Sequence, residues 1–208
     1  MSTSSSRVTQ VDLGRNVYYR VESGLEHGAL INFMLNARVR KIKAQHGPLA
    51  IKVGGKKIEH TFDFLIGFEG DDEDIDMLVA VRPRGSSLKD LETTLKQFRN
   101  QLASLGAHCI VLLTDEQISK AVVKRASDLL RSRETKNTGH MEDVLRHLVA
   151  AGRSVHVYEL FDLPGLVPSE IWSAVMALMD EELVDHDHAR SEEVDFSYLS
   201  MIRARKED

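Results

Sequence analysis

The stretch HTFDFLIGF, residues 60–68, is followed after the acidic segment EGDDEDID by MLVAVRP, residues 77–83. Both apolar stretches are rich in β-branched and aromatic residues, so each reads as a strand. The acidic segment between them reads as a solvated turn without the spacing of a calcium loop, and Pro83 ends the second strand because it has no N–H for the ladder. Side chains alternate across a strand, so Ala80 and Arg82 share one face. On adjoining strands Asp63 and Ala80 would lie side by side, a carboxylate next to a methyl group with a guanidinium one step away.

Outward from there, PLAIKVGGKKIEHTFDFLIGF, residues 48–68, reads as a hairpin around a Gly-Gly-Lys-Lys turn. VESGLEHGALINFMLNA, residues 21–37, spaces Leu25, Ala29, Leu30, Phe33 and Met34 as an amphipathic helix does. SSLKDLETTLKQFRNQLASLG, residues 86–106, does the same, with Ser87 and Asp90 placed to cap it and Gly106 to end it. CIVLL, residues 109–113, fits a buried strand parallel to its predecessor in a β-α-β unit. The expected fold class is α/β, a mixed sheet flanked by helices. Residues 120–139 form a basic segment that loses apolar character as a linker does, and the chain reads as two domains, 1–136 and 137–208. In the second, helices over MEDVLRHLVAAG and EIWSAVMALMDEELV, the latter capped by Ser169, with a strand pair over DHDHARSEEVDFSYLSMI, suggest a small winged helix.

Composition narrows the function classes. No apolar run reaches the ~20 residues of a membrane span and the N-terminus lacks a secretion signal, so the expected location is the cytoplasm. The lone Cys109 excludes an internal disulfide and a multi-cysteine zinc site, and reads as a small buried strand residue. The net charge of −5 is uneven: residues 1–136 hold 21 Lys and Arg against 17 Asp and Glu, residues 137–208 hold 6 against 15. The first half, with a modest net of +4 (21 against 17), suits weak or assisted binding to a polyanion; the acidic tail does not.

The order of elements resembles the PD-(D/E)xK restriction-endonuclease-like architecture, in which a helix Glu, a hairpin Asp and an acid or amide-x-Lys strand meet at a metal. From about residue 18 to 118 the chain is similar to the TnsA-type endonuclease subunit of heteromeric transposases. The likeness is carried by ESGLE at 22–26, Gln45, GGKKIEHTFDFLI, VAVRP, a long helix and IVLLTDEQI, and the family also carries a C-terminal winged helix. The resemblance implies Glu26 and Asp63 as metal ligands, Mg²⁺ as cofactor if the protein is active, and Arg82 in the place of the catalytic lysine. The third motif departs from the family, since Ala80 brings no oxygen and Arg82 is a poor proton donor or acceptor. Glu22, Glu69, Asp76 and Lys43 are the candidates for a ligand or cation relocated from elsewhere.

Candidates for phosphate contact are Arg38, Arg40, Lys41, Lys43, Lys56, Lys57, Arg82, Arg84, Lys120, Lys124, Arg125, Arg131 and Arg133. The expected recognition helix carries Glu170, Asp180, Glu181 and Glu182 with no Lys or Arg, which reads as a protein-docking or homodimer module. Trp172, Met176 and Met179 read as core or interface, and His186 and His188 as solvated turn residues. Three functions stay open: a catalytically impaired, DNA-binding pseudo-nuclease subunit of a DNA recombination, transposition or phage-type complex; an active Mg²⁺-dependent DNA endonuclease; and a protein-interaction scaffold.

Overall fold

The structure, a computed structural model, describes residues 7–71, 73–85, 88–187 and 196–205. It is mixed α/β and divides into two compact units, Met1–Ser119 and Lys120–Asp208.

Unit 1 opens with an antiparallel pair, β1 (Val8–Asp12) and β2 (Val17–Val21), which the sequence pattern does not announce. Its apolar residues are split between buried Val21 and exposed Val11 and Tyr18, so no clean alternation is visible. Helix α1 (Gly24–Leu35) follows, capped by Ser23, whose hydroxyl accepts the Glu26 N–H. A four-stranded sheet then runs in the order β3 (Val39–Val53), β4 (Lys56–Phe68), β5 (Ile75–Val81), β6 (Cys109–Leu113). The first two pairings are antiparallel and β5–β6 is parallel, as the β-α-β reading expects.

The hairpin tip is Gly54-Gly55, with φ of 55° and 78°; positive φ at both positions is what a tight two-residue turn asks of its residues. Strand β3 is longer than its expected start at residue 48, and a register shift between His46 and Leu49 absorbs the irregularity. Gly47 lies there at φ 152°, and a Cβ on it would come 2.9 Å from the Thr61 Cα.

The long helix expected over 86–106 is broken into α2 (Leu88–Arg99) and α3 (Leu102–Leu105). At the break the Gln101 N–H turns back to Phe98 O at 2.9 Å, and its side-chain amide donates to Lys52 O at 3.0 Å. Gly106 ends α3 in the left-handed conformation, and Ser87, the expected cap, lies outside the described residues. Phe62, Leu65, Leu78, Ala80, Leu95, Phe98 and Ile110 form one core cluster of unit 1. α1 adds an edge contact of Phe33 on Phe64, ring centres 5.9 Å apart.

Unit 2 begins with α4 (Lys120–Glu134), then α5 (Thr138–Ala151), the short strand β7 (Val155–His156), a 3₁₀ turn (Val157–Asp162), α6 (Pro168–Asp180), β8 (Val184–His186) and β9 (Met201–Ala204). The three strands form an antiparallel sheet in the order β7-β9-β8 around a core that includes Val144, Leu148, Leu160, Ile171, Val175 and Ile202. Leu129 of α4 packs on this core and Arg133 pairs with Asp180 at 2.6 Å. The basic segment read as a linker is therefore a helix of the second unit, and the compact units part before Lys120, where the sequence reading puts the boundary after residue 136. Ser169 is not the cap of α6. The cap position is Val167, Pro168 opens the helix, and the Glu170 carboxylate accepts the Val167 N–H at 3.0 Å. No helix among the described residues is long and apolar enough to cross a membrane.

Candidate functional site

Strands β4 and β5 are paired from Phe68↔Ile75 to Phe64↔Val79, and continuing that register sets Asp63 opposite Ala80. At the end of the ladder the Val81 N–H points to β4 and finds the Asp63 Oδ2 at 2.7 Å, a side-chain acceptor where a strand carbonyl would otherwise serve. Arg82 closes the other side. Its Nη1 donates to Asp63 Oδ1 at 3.2 Å and Oδ2 at 3.0 Å, and to Val81 O at 2.6 Å. Asp63 is 5 % exposed, so this carboxylate is held by a backbone donor and a guanidinium, the partners a buried charge requires. Ala80 is fully buried in the core cluster, packed rather than facing an open pocket.

Glu26 is also 5 % exposed, and its carboxylate is likewise engaged. Oε2 accepts the Glu22 N–H at 2.9 Å and Oε1 accepts the Ser23 hydroxyl at 2.9 Å, a reciprocal capping arrangement at the start of α1. Gln45 Nε2 reaches Oε2 at 3.3 Å. The rungs Ala44↔Phe64 and His46↔Phe62 flank Gln45 and Asp63, so Gln45 stands beside Asp63 in the sheet while touching Glu26. Its φ of 51° is a left-handed conformation unusual for a non-glycine residue, a strain of order 1–3 kcal/mol that neighbouring structure must offset.

His60 is the residue sequence reasoning missed. Its ring stands edge-on to Phe62 at 4.7 Å and to Phe98 at 6.0 Å, with Nε2 buried and without a hydrogen-bond partner. Burial first, then the positive charge of Arg82, lowers its pKa, against a smaller opposing effect of Asp63. His46 Nδ1 is buried without a partner as well, and burial lowers that pKa too. Strand alternation carries no signal for it: His60 lies three residues before Asp63 on the same strand, an odd separation that reads as opposite faces.

Mg²⁺ takes near-octahedral oxygen ligation, usually from one or two carboxylates together with waters and substrate phosphates. The donor set here does not fit that demand. Arg82 and Val81 cover Asp63, helix capping uses Glu26, and position 80 offers a methyl group. Among the described residues, no group of three or more His, Cys, Asp or Glu is placed to hold a metal ion. The relocation candidates do not complete a cluster. Asp76 lies four residues from Ala80 along β5, roughly 13 Å, and holds Arg40 at 3.2 Å and Lys41 at 3.3 Å. Glu22 and Glu69 are exposed, and Lys43 is on β3. The chain matches no protein-family model and no curated protein.

Most of the cations singled out for phosphate contact are compensated within their own unit. Arg38 pairs with Asp71 at 3.6 Å, Arg40 with Asp74 at 2.8 Å, Lys57 with Glu59 at 2.6 Å, and Arg84 with Glu116. The acidic turn therefore serves as counter-charge to the start of β3. Lys43, Lys56 and Lys124 have no ion-pair partner among the described residues. Arg125 on α4 carries an interaction of its own.

In unit 2 the carboxylates at the end of α6 and just after it are matched in the same way. Arg133 grips Asp180 through Nε at 2.6 Å and Nη2 at 2.8 Å, Lys136 pairs with Glu181, and Arg205 with Glu182 at 2.9 Å. Thr135 also bonds Ser173 at 2.7 Å, so α4 lies along one side of α6. Between them is a cleft of about 490 Å³, lined by Arg131, Ser132, His140, Ser169, Trp172 and Tyr198 among others. Met176 is core, Met179 packs at its edge, and Trp172 packs tilted against Phe196 at 5.2 Å and edge-on to Tyr198 at 4.9 Å. His186 packs edge-on to Phe196 at 5.2 Å, and His188 lies outside the described residues. Cys109 is half-buried, with burial raising its thiol pKa.

Proposed function

We propose that this protein is a DNA-associated, non-cutting subunit of a larger DNA-processing assembly of transposase or phage type. In this reading unit 1 is a restriction-endonuclease-like fold of the TnsA kind and unit 2 a winged helix. The observation that carries the reading is the engagement of Asp63: an internal arginine stands on the carboxylate where a nuclease needs a divalent cation. The sheet order with its parallel last pair, and the acidic helix residue bridged to the sheet by Gln45, support the fold assignment. For unit 2, support comes from the order helix, strand, 3₁₀ turn, helix, two strands, and from the sheet order β7-β9-β8. With α4 along one side of α6 and carboxylates at its end, this unit docks protein rather than entering a major groove.

The test is plasmid DNA with Mg²⁺ or Mn²⁺, run beside a fluorescence-anisotropy titration of a short duplex at several salt concentrations. Salt-dependent binding without nicking is the expected result. Nicking that disappears in Asp63→Asn would return the protein to the endonucleases. A second reading, the protein-interaction scaffold, is favoured by the internal pairing of Arg38, Arg40, Lys41, Lys57 and Arg84, and predicts no duplex binding at low salt.

A further inference from the structure

We infer that Arg82 is itself the ligand-binding element of this site, with Asp63 its positioning residue: the guanidinium, pinned by one nitrogen, presents its remaining edge to a phosphate group. The geometry is asymmetric. Every described hydrogen bond of the Arg82 side chain leaves from Nη1, to both Asp63 oxygens and to Val81 O. Nε and Nη2 have no partner among the described residues, and the side chain is 39 % exposed while that of Asp63 is 6 %. A guanidinium whose Nε and Nη2 donors lie side by side is shaped to receive two phosphate oxygens in parallel.

The buried partner supplies what a surface arginine lacks. A free arginine side chain gives up rotamer freedom when it clamps an anion; here Asp63 and the Val81 carbonyl already fix the group at the end of β5. Swinging Arg82 away would leave a buried carboxylate with only the Val81 N–H, so the arginine stays and the phosphate comes to it. The carboxylate that would hold a metal in a nuclease thus holds an arginine, and the arginine meets the backbone phosphate that the metal would otherwise meet. Because Asp63 and Arg82 are together neutral, the affinity for a single phosphate is weak and one contact contributes a small part of duplex affinity. The inference rests on the DNA-associated reading for the identity of its ligand, a phosphodiester.

The experiment uses the full chain with arginine side-chain Nε–H signals observed by NMR during titration with inorganic phosphate, then with a short duplex. The Arg82 signal, assigned by its loss in Arg82→Gln, is expected to move saturably with phosphate. Arg82→Gln is expected to weaken duplex binding roughly tenfold and to reduce the salt slope by about one. Asp63→Asn, which keeps shape but releases the pin, is expected to weaken phosphate binding several-fold and to narrow the difference between the Arg82 signal and that of a free arginine; tighter phosphate binding in this variant would overturn the positioning role. If Asp63→Asn does not fold, the Arg82→Gln arm decides alone. Phosphate response without duplex binding upholds the arginine site and removes DNA as its ligand. Duplex binding with an unmoved Arg82 signal and an unchanged slope in Arg82→Gln overturns this inference and leaves the DNA-associated reading standing.

Discussion

The two units treat carboxylates in opposite ways. Among the described residues the buried ones, Asp12, Glu26 and Asp63, all belong to unit 1, whereas the buried polar residues of unit 2 are Ser132 and Ser200. Carboxylates in unit 2 stay near the surface, where Asp180, Glu181 and Glu182 meet Arg133, Lys136 and Arg205. A buried carboxylate loses hydration worth several kcal/mol and is tolerated only where donors replace the lost water, while an exposed pair gives up little and contributes little. Unit 1 supplies such donors to each: Arg15 to Asp12, the Ser23 hydroxyl and Glu22 N–H to Glu26, Val81 and Arg82 to Asp63. Removing a donor should therefore cost more in unit 1, where the carboxylate left behind is buried, than in unit 2, where it is near the surface.

The sharpest way to break this contrast is Arg82→Ala, which leaves Asp63 buried with a single backbone donor. Urea denaturation should show unit 1 weakened by about 3 kcal/mol, the low end of the range for a broken buried pair because Arg82 is half-exposed. A loss below about 1 kcal/mol would mean that Asp63 behaves like a surface group. Glu26→Ala removes the acceptor for Glu22 N–H and the Ser23 hydroxyl and should lower stability by about 1–2 kcal/mol, read as a reduced urea midpoint. Asp180→Asn in unit 2 should change the unfolding free energy by less than about 1 kcal/mol, since its partner Arg133 is exposed.

The smallest expected effect is on pH. Burial lowers the pKa of His60 and of His46, so the folded protein prefers both rings neutral. The stability that depends on the neutral rings is present above the ordinary histidine pKa of about 6.5 and is lost as pH falls from there toward the depressed folded values, because the unfolded chain takes up protons first. Thermal midpoints should drop on acidification through this window, and His60→Phe should flatten the drop.

Much of this was legible in the residues. The sheet strands from the hairpin onward, the parallel β6, α1 and Gly106 as a helix end follow from periodicity and turn chemistry, which act locally. The β1–β2 pair leaves no clear sequence signal because its apolar residues are divided between core and solvent. The break between α2 and α3 depends on a bond from Gln101 to Lys52, distant in sequence, and no local pattern carries it. The composition of α4 misleads for a similar reason: basic and half-polar, it looks like a linker until Leu129 and Arg133 meet α6 and the core of unit 2. At the site, the sequence placed Asp63 against Ala80 and Arg82, but strand alternation alone could not say whether Ala80 faces a pocket or the core, nor that the Val81 N–H turns to Asp63. The compensation of Arg38, Arg40 and Lys41 by the acidic turn was hidden because net charge counts do not record which charges touch.

Calorimetric titration of the full chain with Mn²⁺, beside Asp63→Asn, tests the central claim most directly. If Arg82 holds the carboxylate in the metal's stead, neither protein shows a saturable heat of binding. Saturable Mn²⁺ uptake by the natural chain that vanishes in Asp63→Asn would contradict the account.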